Sequence, residues 1–428
     1  MERTSSASIK VVLALFAALI GLGVYRAATN DVTPAEAWNY DRYIGVRWQE
    51  SLSHFDTNNH VLYGLLVRIS TARMHLTELS LRLPALLGGL LYLWIVFRLC
   101  RRWFGSGWVF ALAAALLTLN PWVVDSLSEA RGYGLAMAFW LWGLDLLLGS
   151  LEVEAYSVRK LNLAALCLAL SVAACLPLIV PVLGLFAAFA WAAPRPRANR
   201  LVYLSVYLCI YLFILLAIPL NRVLLSDFAQ GSSRLPMREA IFLVTAAGTW
   251  VALRQPKRDP LLTLTAGSAL FGLLLLLAAH RLIKAPYPER SIVYFIPILT
   301  LIALSILQRL PRAAMLLPVA CLLIYAVKFP WGPYREGRQY AGSREIAKAL
   351  RADARQRPVR VAATSELEPV MNYYRTRYRQ GNWARVEPKP ADAGYDYYVL
   401  PADGSAERLG LRILSSKPGI VLAAKARP

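Results

Sequence analysis

Residues 10–28, KVVLALFAALIGLGVYRAA, form an apolar run that is followed closely by the polar stretch 31–60, DVTPAEAWNYDRYIGVRWQESLSHFDTNNH. The apolar run is long enough to cross the hydrocarbon core of a bilayer, which is roughly 30 Å thick. The polar stretch carries five carboxylates and two of the four histidines of the chain: Asp31, Glu36, Asp41, Glu50, Asp56, His54 and His60. A loop this rich in polar groups, beside a membrane span, is where we expect the chemistry of the protein to lie.

The rest of the chain repeats the apolar pattern. Of its 428 residues, 57% are hydrophobic and 17% are charged, whereas an average soluble domain is about 25% charged. The N-terminal run resembles a signal sequence, which we interpret as a retained anchor. Pro177 and Pro181 leave open whether 161–194 is one broken helix; we count two spans, because a single span would invert every later loop. The sequence predicts an all-α polytopic membrane domain of eleven spans, near 10–28, 82–100, 107–120, 132–150, 161–176, 178–194, 200–220, 238–253, 260–280, 291–307 and 311–329.

The net charge of +21 is explained better by membrane topology than by nucleic acid. The sequence has no zinc-finger spacing or other nucleic-acid-binding motif, so we expect no nucleic-acid partner. With the N-terminus inside, the short inner loops hold thirteen Lys and Arg and the short outer loops hold seven, in agreement with the positive-inside rule. This orientation places the loop 31–80 and the C-terminal tail on the outer face. Some of the seven outer cations are expected to bind an anion.

Two domains are expected, 1–330 and 331–428. The first contains the spans and the outer loop 31–80, where VLYGLLVRIS at 61–70 is too short to span and suits an interfacial helix. The second is a small α/β domain, also on the outer face. Its predicted elements are helices at 343–356 and 366–378, strands at 358–364 and 395–400, and two further strands in LRILSS and GIVLAAK. The five cysteines lie in or beside apolar spans without CxxC spacing, which favours packing roles over disulfides or metal ligands.

Glu36 is the first candidate for catalysis. Thr33 and Pro34 predict the start of a short helix just before it, and an acidic residue on an outer loop can act as a general base or a metal ligand. The alternative is structural, because Thr33-x-x-Glu36 has the spacing of a capping box.

A second polar group comes directly before the predicted interfacial helix: Asp56, Asn58, Asn59 and His60. Histidine titrates near neutral pH and can donate a hydrogen bond to phosphate or accept a proton. The alternative is a polar turn that caps the helix, although the four side chains together exceed what one cap needs.

Two more groups lie at the predicted outer ends of spans. In NPWVVDSLSEARGYGL at 120–135, Glu129, Arg131 and Tyr133 open the fourth span. Glu129 and Arg131 are two residues apart and do not face one another on a regular helix, so each needs its own partner. Arg290 opens the tenth span, where an arginine can hold phosphate bidentately. The alternatives are a solvated helix end for the first group and a snorkelling side chain for Arg290.

These motifs together resemble the type-C glycosyltransferases, in particular the bacterial branch similar to protein O-mannosyltransferases and lipid A aminoarabinose transferases. Their order and spacing agree with the family, and so does an outer C-terminal domain. The motifs are Glu36 after the first span, NNHVLY at 58–63, Leu81-Arg82-Leu83-Pro84 at the second span, Glu129-Ala130-Arg131-Gly132-Tyr133 at the fourth and Glu289-Arg290 at a late span. The resemblance covers 1–150 well and 160–280 thinly. The family has an Asp where this chain has Ala35.

The resemblance implies a GT-C-like enzyme that moves a hexose or pentose from a polyprenyl-phosphate donor to a hydroxyl of a lipid, glycan or protein acceptor. The reaction would take place at the outer face of a bacterial plasma membrane. The implied roles are base for Glu36 or Asp56, donor-phosphate binding for Arg131, Arg290 and His60, and substrate contact for Asn59, Glu129 and Tyr133. If Glu36 cannot replace the family Asp, then Asp31, Asp41 or Asp56 must reach the site. Mg²⁺ or Mn²⁺ could bind such carboxylates, although no ligand spacing requires a metal.

Two other classes of protein stay open. A transporter or lipid flippase predicts ionisable residues buried in mid-span and broken helices, and Asp145 is one of few such residues here. A non-catalytic scaffold of envelope assembly is favoured by Ala35. The clustering of polar groups at one face favours surface chemistry over transport.

Overall fold

The protein is described from a computed structural model that covers residues 2–47, 50–51, 59–152, 157–193, 197–223, 238–255, 259–283, 291–379, 381–388 and 394–425. Two of the predicted site residues, Asp56 and Arg290, lie outside these ranges, as do Asn58 and Glu289.

α-Helices make up most of the described residues up to 327. Within the described ranges they are α1 (Glu2–Thr29), α2 (Pro34–Asn39), α3 (Val61–Met74), α4 (Glu78–Phe104), α5 (Trp108–Thr118), α6 (Pro121–Ser126), α7 (Tyr133–Leu151), α8 (Val158–Ala174), α9 (Ile179–Ala192), α10 (Arg197–Val223), α11 (Arg238–Arg254), α12 (Pro260–Ile283), α13 (Phe295–Leu307) and α14 (Leu316–Val327). Each of the eleven predicted spans overlaps one of these helices over most of its length.

Four helical segments are long and apolar enough to cross a membrane within the described residues: Ser6–Thr29, Glu78–Phe104, Tyr133–Leu151 and Pro260–Leu282. Shorter apolar helices of 10–17 residues accompany them. The chain is therefore a mostly helical, multi-pass membrane protein. The predicted interfacial segment is a helix, α3, and its position at the membrane interface stays a prediction.

The break predicted within 161–194 is confirmed, and it separates two helices. Helix α8 ends at Ala174, Cys175 has an extended backbone (φ −155°, ψ 104°), and a 3₁₀ turn over Leu176–Leu178 leads into α9. Pro177 lacks a backbone N–H, so it cannot donate to a carbonyl of α8 and continue that helix. The last carbonyl groups of α8 therefore need partners from outside the helix.

Close helix packing in this region depends on small residues. Helix α9 packs against α12, and Ser268 Oγ donates to the Pro181 carbonyl over 2.9 Å. A Cβ on Gly184 would meet the Ser268 carbonyl oxygen closer than 3.0 Å, and one on Gly143 would lie 2.7 Å from Leu168. Glycine lets helix backbones approach closely in membrane proteins, where van der Waals packing is a main source of association.

Asp145 is held in an ion-pair network near the end of α7. Its carboxylate accepts from Arg98 Nε over 2.8 Å and from Arg102 Nη1 over 2.9 Å. Arg102 also pairs with Glu152, one residue beyond the end of α7. The two arginines neutralise this carboxylate, so it gives no support to a charged transport path through the spans.

By its internal contacts the chain separates into two compact units. The first consists of Met1–Gly23, Leu52–Tyr63 and Pro84–Phe329. The second consists of Val24–Ser51, Gly64–Leu83 and Pro330–Pro428, so it takes in parts of the predicted first loop as well as the C-terminal residues. The predicted domain division at 330 and 331 stays a prediction.

The C-terminal part of the second unit is the small α/β domain that the sequence predicts. Its strands are β1 (Val361–Ala363), β2 (Glu387–Pro388), β3 (Tyr397–Pro401), β4 (Leu411–Lys417) and β5 (Ile420–Lys425), in the order β2-β1-β3-β5-β4. Pairs β1–β2 and β1–β3 are parallel, and β3–β5 and β4–β5 are antiparallel. The helices are α15 (Ser343–Ala354), α16 (Glu368–Tyr378) and the short α17 (Ser405–Arg408). Strand β2 was not predicted from the sequence.

Candidate functional site

The capping box that the spacing of Thr33 and Glu36 allows is present in the structure. Thr33 is the N-cap of α2 and its Oγ1 accepts from the Glu36 backbone N–H over 3.2 Å. The Glu36 carboxylate in turn accepts from the Thr33 backbone N–H over 2.9 Å, which completes a capping box. Glu36 is only 1% exposed. The carboxylate therefore has a structural task whatever its role in catalysis.

Arg82 binds the same carboxylate through two parallel hydrogen bonds. Its Nε donates to Glu36 Oε1 over 2.8 Å and its Nη2 donates to Oε2 over 2.6 Å. The remaining N–H groups donate to the carbonyl groups of Ala27 (3.2 Å), Asn30 (2.8 Å) and Asp31 (2.7 Å). All five donors of the buried guanidinium are thus engaged. Arg82 holds the end of α1, the following turn and α2 in one arrangement.

Tyr334 supports this ion pair from the segment that follows α14. The Arg82 guanidinium carbon lies 4.8 Å from the centroid of the Tyr334 ring, and the Arg26 guanidinium carbon lies 4.3 Å from it. Arg26 Nε also donates to the Gly332 carbonyl over 3.2 Å. An aromatic ring attracts cations, most strongly where water is excluded, so Tyr334 stabilises two buried positive charges.

The other aspartates of the first loop in the described residues already have partners. Asp31 Oδ2 accepts from the backbone N–H of Gly342 over 2.7 Å, at the start of α15, and burial raises the pKa of this carboxyl. Asp31 also lines a cleft of about 340 Å³, where Arg344 Nε lies 3.5 Å from its Oδ1. Asp41 Oδ2 accepts from Arg385 Nη2 over 2.8 Å. Both side chains anchor the loop to other parts of the second unit.

In the first unit, the structure brings three of the predicted site residues together. The His60 and Tyr133 rings meet edge to face, with centroids 5.1 Å apart. The Arg131 guanidinium carbon lies 5.4 Å from the centroid of the same Tyr133 ring. His60, Arg131 and Tyr133 are 2%, 6% and 5% exposed. We call this group the His60–Arg131–Tyr133 cluster.

The Glu-Ala-Arg-Gly segment before Tyr133 is a turn rather than the first turn of a helix, because α6 ends at Ser126 and α7 begins at Tyr133. The helix-spacing argument that kept Glu129 and Arg131 apart therefore does not apply to them. Glu129 is 7% exposed, so the alternative of a solvated helix end is wrong. Both charged side chains are held inside the protein, where a charge is costly unless it has a partner or a function.

The orientation of His60 is set by the end of α8. Its Nδ1 lies 3.0 Å from the carbonyl oxygen of Ala174, one of the terminal carbonyls that the helix itself cannot satisfy. Burial, followed by the positive charge of Arg131, lowers the pKa of His60 to about 3. The ring is therefore neutral at pH 7. The neighbouring Asn59 is also buried, at 4% exposure.

Gly132 permits the close approach of these segments. A Cβ at this position would lie well inside 3.0 Å of the Ala174 carbonyl oxygen and 3.1 Å from His60 Nδ1. The turn before α7, the end of α8 and the residue before α3 therefore meet where only glycine fits.

Replacing Gly132 with alanine is expected to lower the melting temperature, because the new methyl group forces the Ala174 carbonyl and His60 apart. Overpacking of this kind costs about 1–3 kcal/mol. Thermal unfolding of the purified protein in detergent measures the effect. Gly21→Ala is the matched control, because nothing lies within 4 Å of a Cβ there, and alanine favours a helix over glycine. Equal melting temperatures for the two variants would contradict the packing argument.

The described residues contain no group of three or more His, Cys, Asp or Glu that could hold a metal ion. The possible Mg²⁺ or Mn²⁺ stays a prediction, as do the roles of Asp56 and Arg290, which lie outside those residues.

The sequence alone assigns no role to three residues that form buried contacts in the second unit: Arg82, Tyr334 and Glu78. Arg82 belongs to the motif Leu81-Arg82-Leu83-Pro84, and a lone arginine among leucines at a span end indicates that it has a partner. Tyr334 and Glu78 gave no such signal, because their partners are distant in sequence. Glu78 pairs with Arg344 Nε over 2.8 Å and with Arg377.

The fold is similar to that of two solved structures. One is ArnT from Cupriavidus metallidurans in the apo state, with a TM-score of 0.60 and 15% sequence identity, covering 97% of this chain and 98% of that one. The other is ArnT from the same organism bound to undecaprenyl phosphate, with a TM-score of 0.59 and 14% identity over the same shares. No model of a known family matches the sequence, and no curated protein matches it.

At this level of identity the similarity is one of fold, and it extends over nearly the whole of both chains. ArnT is a lipid A aminoarabinose transferase of the GT-C type, the branch that the motifs resemble. The chain therefore has the fold of the type-C glycosyltransferase ArnT, as its ordered motifs predicted.

Proposed function

We propose that this protein is a glycosyltransferase that moves a sugar from a polyprenyl-phosphate donor to an acceptor hydroxyl at the outer face of a bacterial plasma membrane. The observation that carries the proposal is the buried His60–Arg131–Tyr133 cluster within an ArnT-like fold. An arginine buried at a turn before an apolar helix suits a phosphate at the membrane surface. The similar ArnT structure that is bound to undecaprenyl phosphate supports this class of ligand.

The chemistry follows from charge. The acceptor O–H loses its proton to a carboxylate, its oxygen attacks the anomeric carbon, and the bond from that carbon to the phosphate oxygen breaks. The leaving group changes from a phosphodiester with one negative charge to a phosphate monoester with about −1.5 to −2 charges at pH 7. A guanidinium preorganised in a buried site stabilises this developing charge. Arg131 is our assignment for that role, with Arg290 as the second arginine.

Of the two predicted bases, Glu36 is occupied by Arg82 and Thr33 at both carboxylate oxygens. We therefore assign Glu36 a positioning role within this proposal and assign proton removal to Asp56. Asn59, Glu129 and Tyr133 are assigned to substrate contact, since they are buried beside His60 or Arg131 in the chain. The sugar is a hexose or a pentose, and the acceptor is a lipid, a glycan or a protein.

The test uses the purified full chain in nanodiscs. We expect it to bind undecaprenyl phosphate more tightly than undecaprenol, which has the same chain without phosphate. We also expect it to release undecaprenyl phosphate from undecaprenyl-phosphate mannose, glucose or aminoarabinose when membrane acceptors are supplied. Equal affinity for undecaprenyl phosphate and undecaprenol would overturn the proposal. Binding without turnover of any donor would favour the scaffold instead.

A further inference from the structure

One nitrogen of His60 has no hydrogen-bond partner among the residues that the structure describes. This nitrogen is Nε2, which is buried and accepts or donates no hydrogen bond within the described part of the chain. Buried polar atoms in native proteins are nearly always hydrogen-bonded, and an exception calls for an explanation such as a ligand. Since His60 is a candidate site residue at 2% exposure, the explanation that its position favours is a hydrogen bond from a bound substrate.

The hydrogen bond at the other nitrogen decides what Nε2 can do. The Ala174 carbonyl oxygen 3.0 Å from Nδ1 only accepts hydrogen bonds, so Nδ1 carries the proton. In a neutral imidazole the second nitrogen is then an acceptor with a lone pair. Arg131, whose positive charge acts on the ring, opposes the protonation that would turn Nε2 into a donor.

An acceptor nitrogen does not bind a phosphodiester. Both non-bridging oxygens of that group are acceptors without protons, so they repel the Nε2 lone pair. A sugar, in contrast, presents hydroxyl groups and in some cases an amino group, which are donors. In this cluster, Arg131 is therefore suited to bind phosphate, whereas His60 is suited to bind a hydrogen-bond donor such as a hydroxyl or amino group.

We propose that His60 is a specificity-determining residue for the sugar, and that its Nε2 accepts a hydrogen bond from a hydroxyl or amino group of the donor sugar. This replaces the phosphate-binding role predicted for His60 from the sequence, and it rests on the proposed glycosyltransferase function. A site that hydrogen-bonds a substrate hydroxyl discriminates strongly against a ligand that lacks it, because the buried group is then left unpaired.

Two substitutions distinguish the hydrogen bond of Nδ1 from that of Nε2. In His60→Asn the amide nitrogen takes the place of Nδ1 and keeps the bond to Ala174, while nothing takes the place of Nε2. In His60→Gln the longer amide puts an oxygen near the place of Nε2. His75→Asn is the control, because His75 is exposed and its φ of 59° lies in the left-handed region that asparagine tolerates.

The experiment compares affinities for undecaprenyl phosphate with those for undecaprenyl-phosphate mannose, glucose and aminoarabinose, without acceptor. We expect His60→Asn to change the affinity for undecaprenyl phosphate by no more than about twofold. We expect the same variant to lower the affinity for the preferred sugar donor roughly 10- to 100-fold. His60→Gln should recover part of that loss, and His75→Asn should match the natural protein.

If His60→Asn lowers the affinities for undecaprenyl phosphate and for the sugar donor equally, the inference is overturned, because His60 would then contact the phosphate. Unchanged affinity for every donor would overturn it as well. If the natural protein prefers neither undecaprenyl phosphate nor its sugar forms to undecaprenol, the proposed function itself has failed, and the two failures are distinguishable.

Discussion

The Arg82→Leu variant is expected to lose about 3–5 kcal/mol of stability and all measurable transfer, because one half of a buried ion pair is removed. The Glu36 carboxylate would be left charged in an interior from which water is excluded, without the guanidinium that binds both of its oxygens. The carbonyl groups of Ala27, Asn30 and Asp31 would lose their donor in the same step.

Thermal and denaturant unfolding in detergent measure this loss. Arg82→Lys is expected to fall between the natural protein and Arg82→Leu, since an ammonium keeps the charge but cannot form two parallel bonds to the carboxylate. Arg309→Leu is the control: its bond to Asp259 is 2.8 Å long, but the Arg309 side chain is 38% exposed, and such pairs contribute about 0–1 kcal/mol. Similar unfolding for Arg82→Leu and Arg309→Leu would show that the buried pair does not hold the loop.

The role of Glu36 is tested separately by Glu36→Gln. This change keeps the side-chain volume and removes the charge that Arg82 needs. If Glu36 is a positioning residue, the Glu36→Gln variant is expected to lose stability and turnover together, while its kcat/KM still falls at low pH as in the natural protein. If Glu36 is instead the base, the variant will lose this fall of kcat/KM at low pH and keep its melting temperature. Because the proposed function assigns proton removal to Asp56, the fall of kcat/KM at low pH is expected to be lost in the Asp56→Asn variant.

The sequence was sufficient to predict the helices because their signals are local. Apolar runs of span length located the eleven segments, and Pro177 marked the break between α8 and α9. The strands of the C-terminal domain were predicted by alternation, but β2 has only two residues and carries too short a pattern to be recognised.

The site was only partly predictable, because its decisive contacts join distant residues. The motifs named His60, Arg131 and Tyr133, yet nothing local shows that the Ala174 carbonyl fixes the tautomer of His60 across 114 residues. The Thr33–Glu36 spacing allowed either a capping box or a base. The choice depended on Arg82, which lies 46 residues away from Glu36.

Replacing Arg131 with glutamine is expected to lower kcat/KM for transfer by about 10²- to 10³-fold, the effect typical of removing one preorganised donor from a developing anion. The full chain in nanodiscs with a polyprenyl-phosphate sugar serves for the measurement. Arg309→Gln controls for loss of an arginine elsewhere. Arg131→Lys keeps the charge without the planar fork and should retain part of the activity. Full activity in Arg131→Gln would remove Arg131 from the proposed site.

The charge of the phosphate also predicts how this loss divides between binding and turnover. The donor phosphodiester carries one negative charge, and the departing phosphate carries about −1.5 to −2. An arginine that stabilises the growing negative charge binds the transition state and product more strongly than the donor, so its removal lowers kcat more than donor affinity. Arg131→Gln should therefore lower the affinity for undecaprenyl phosphate more than the affinity for undecaprenyl-phosphate mannose, glucose or aminoarabinose. An equal loss for both forms would mean that Arg131 only holds the ligand and does not follow the charge that the reaction creates.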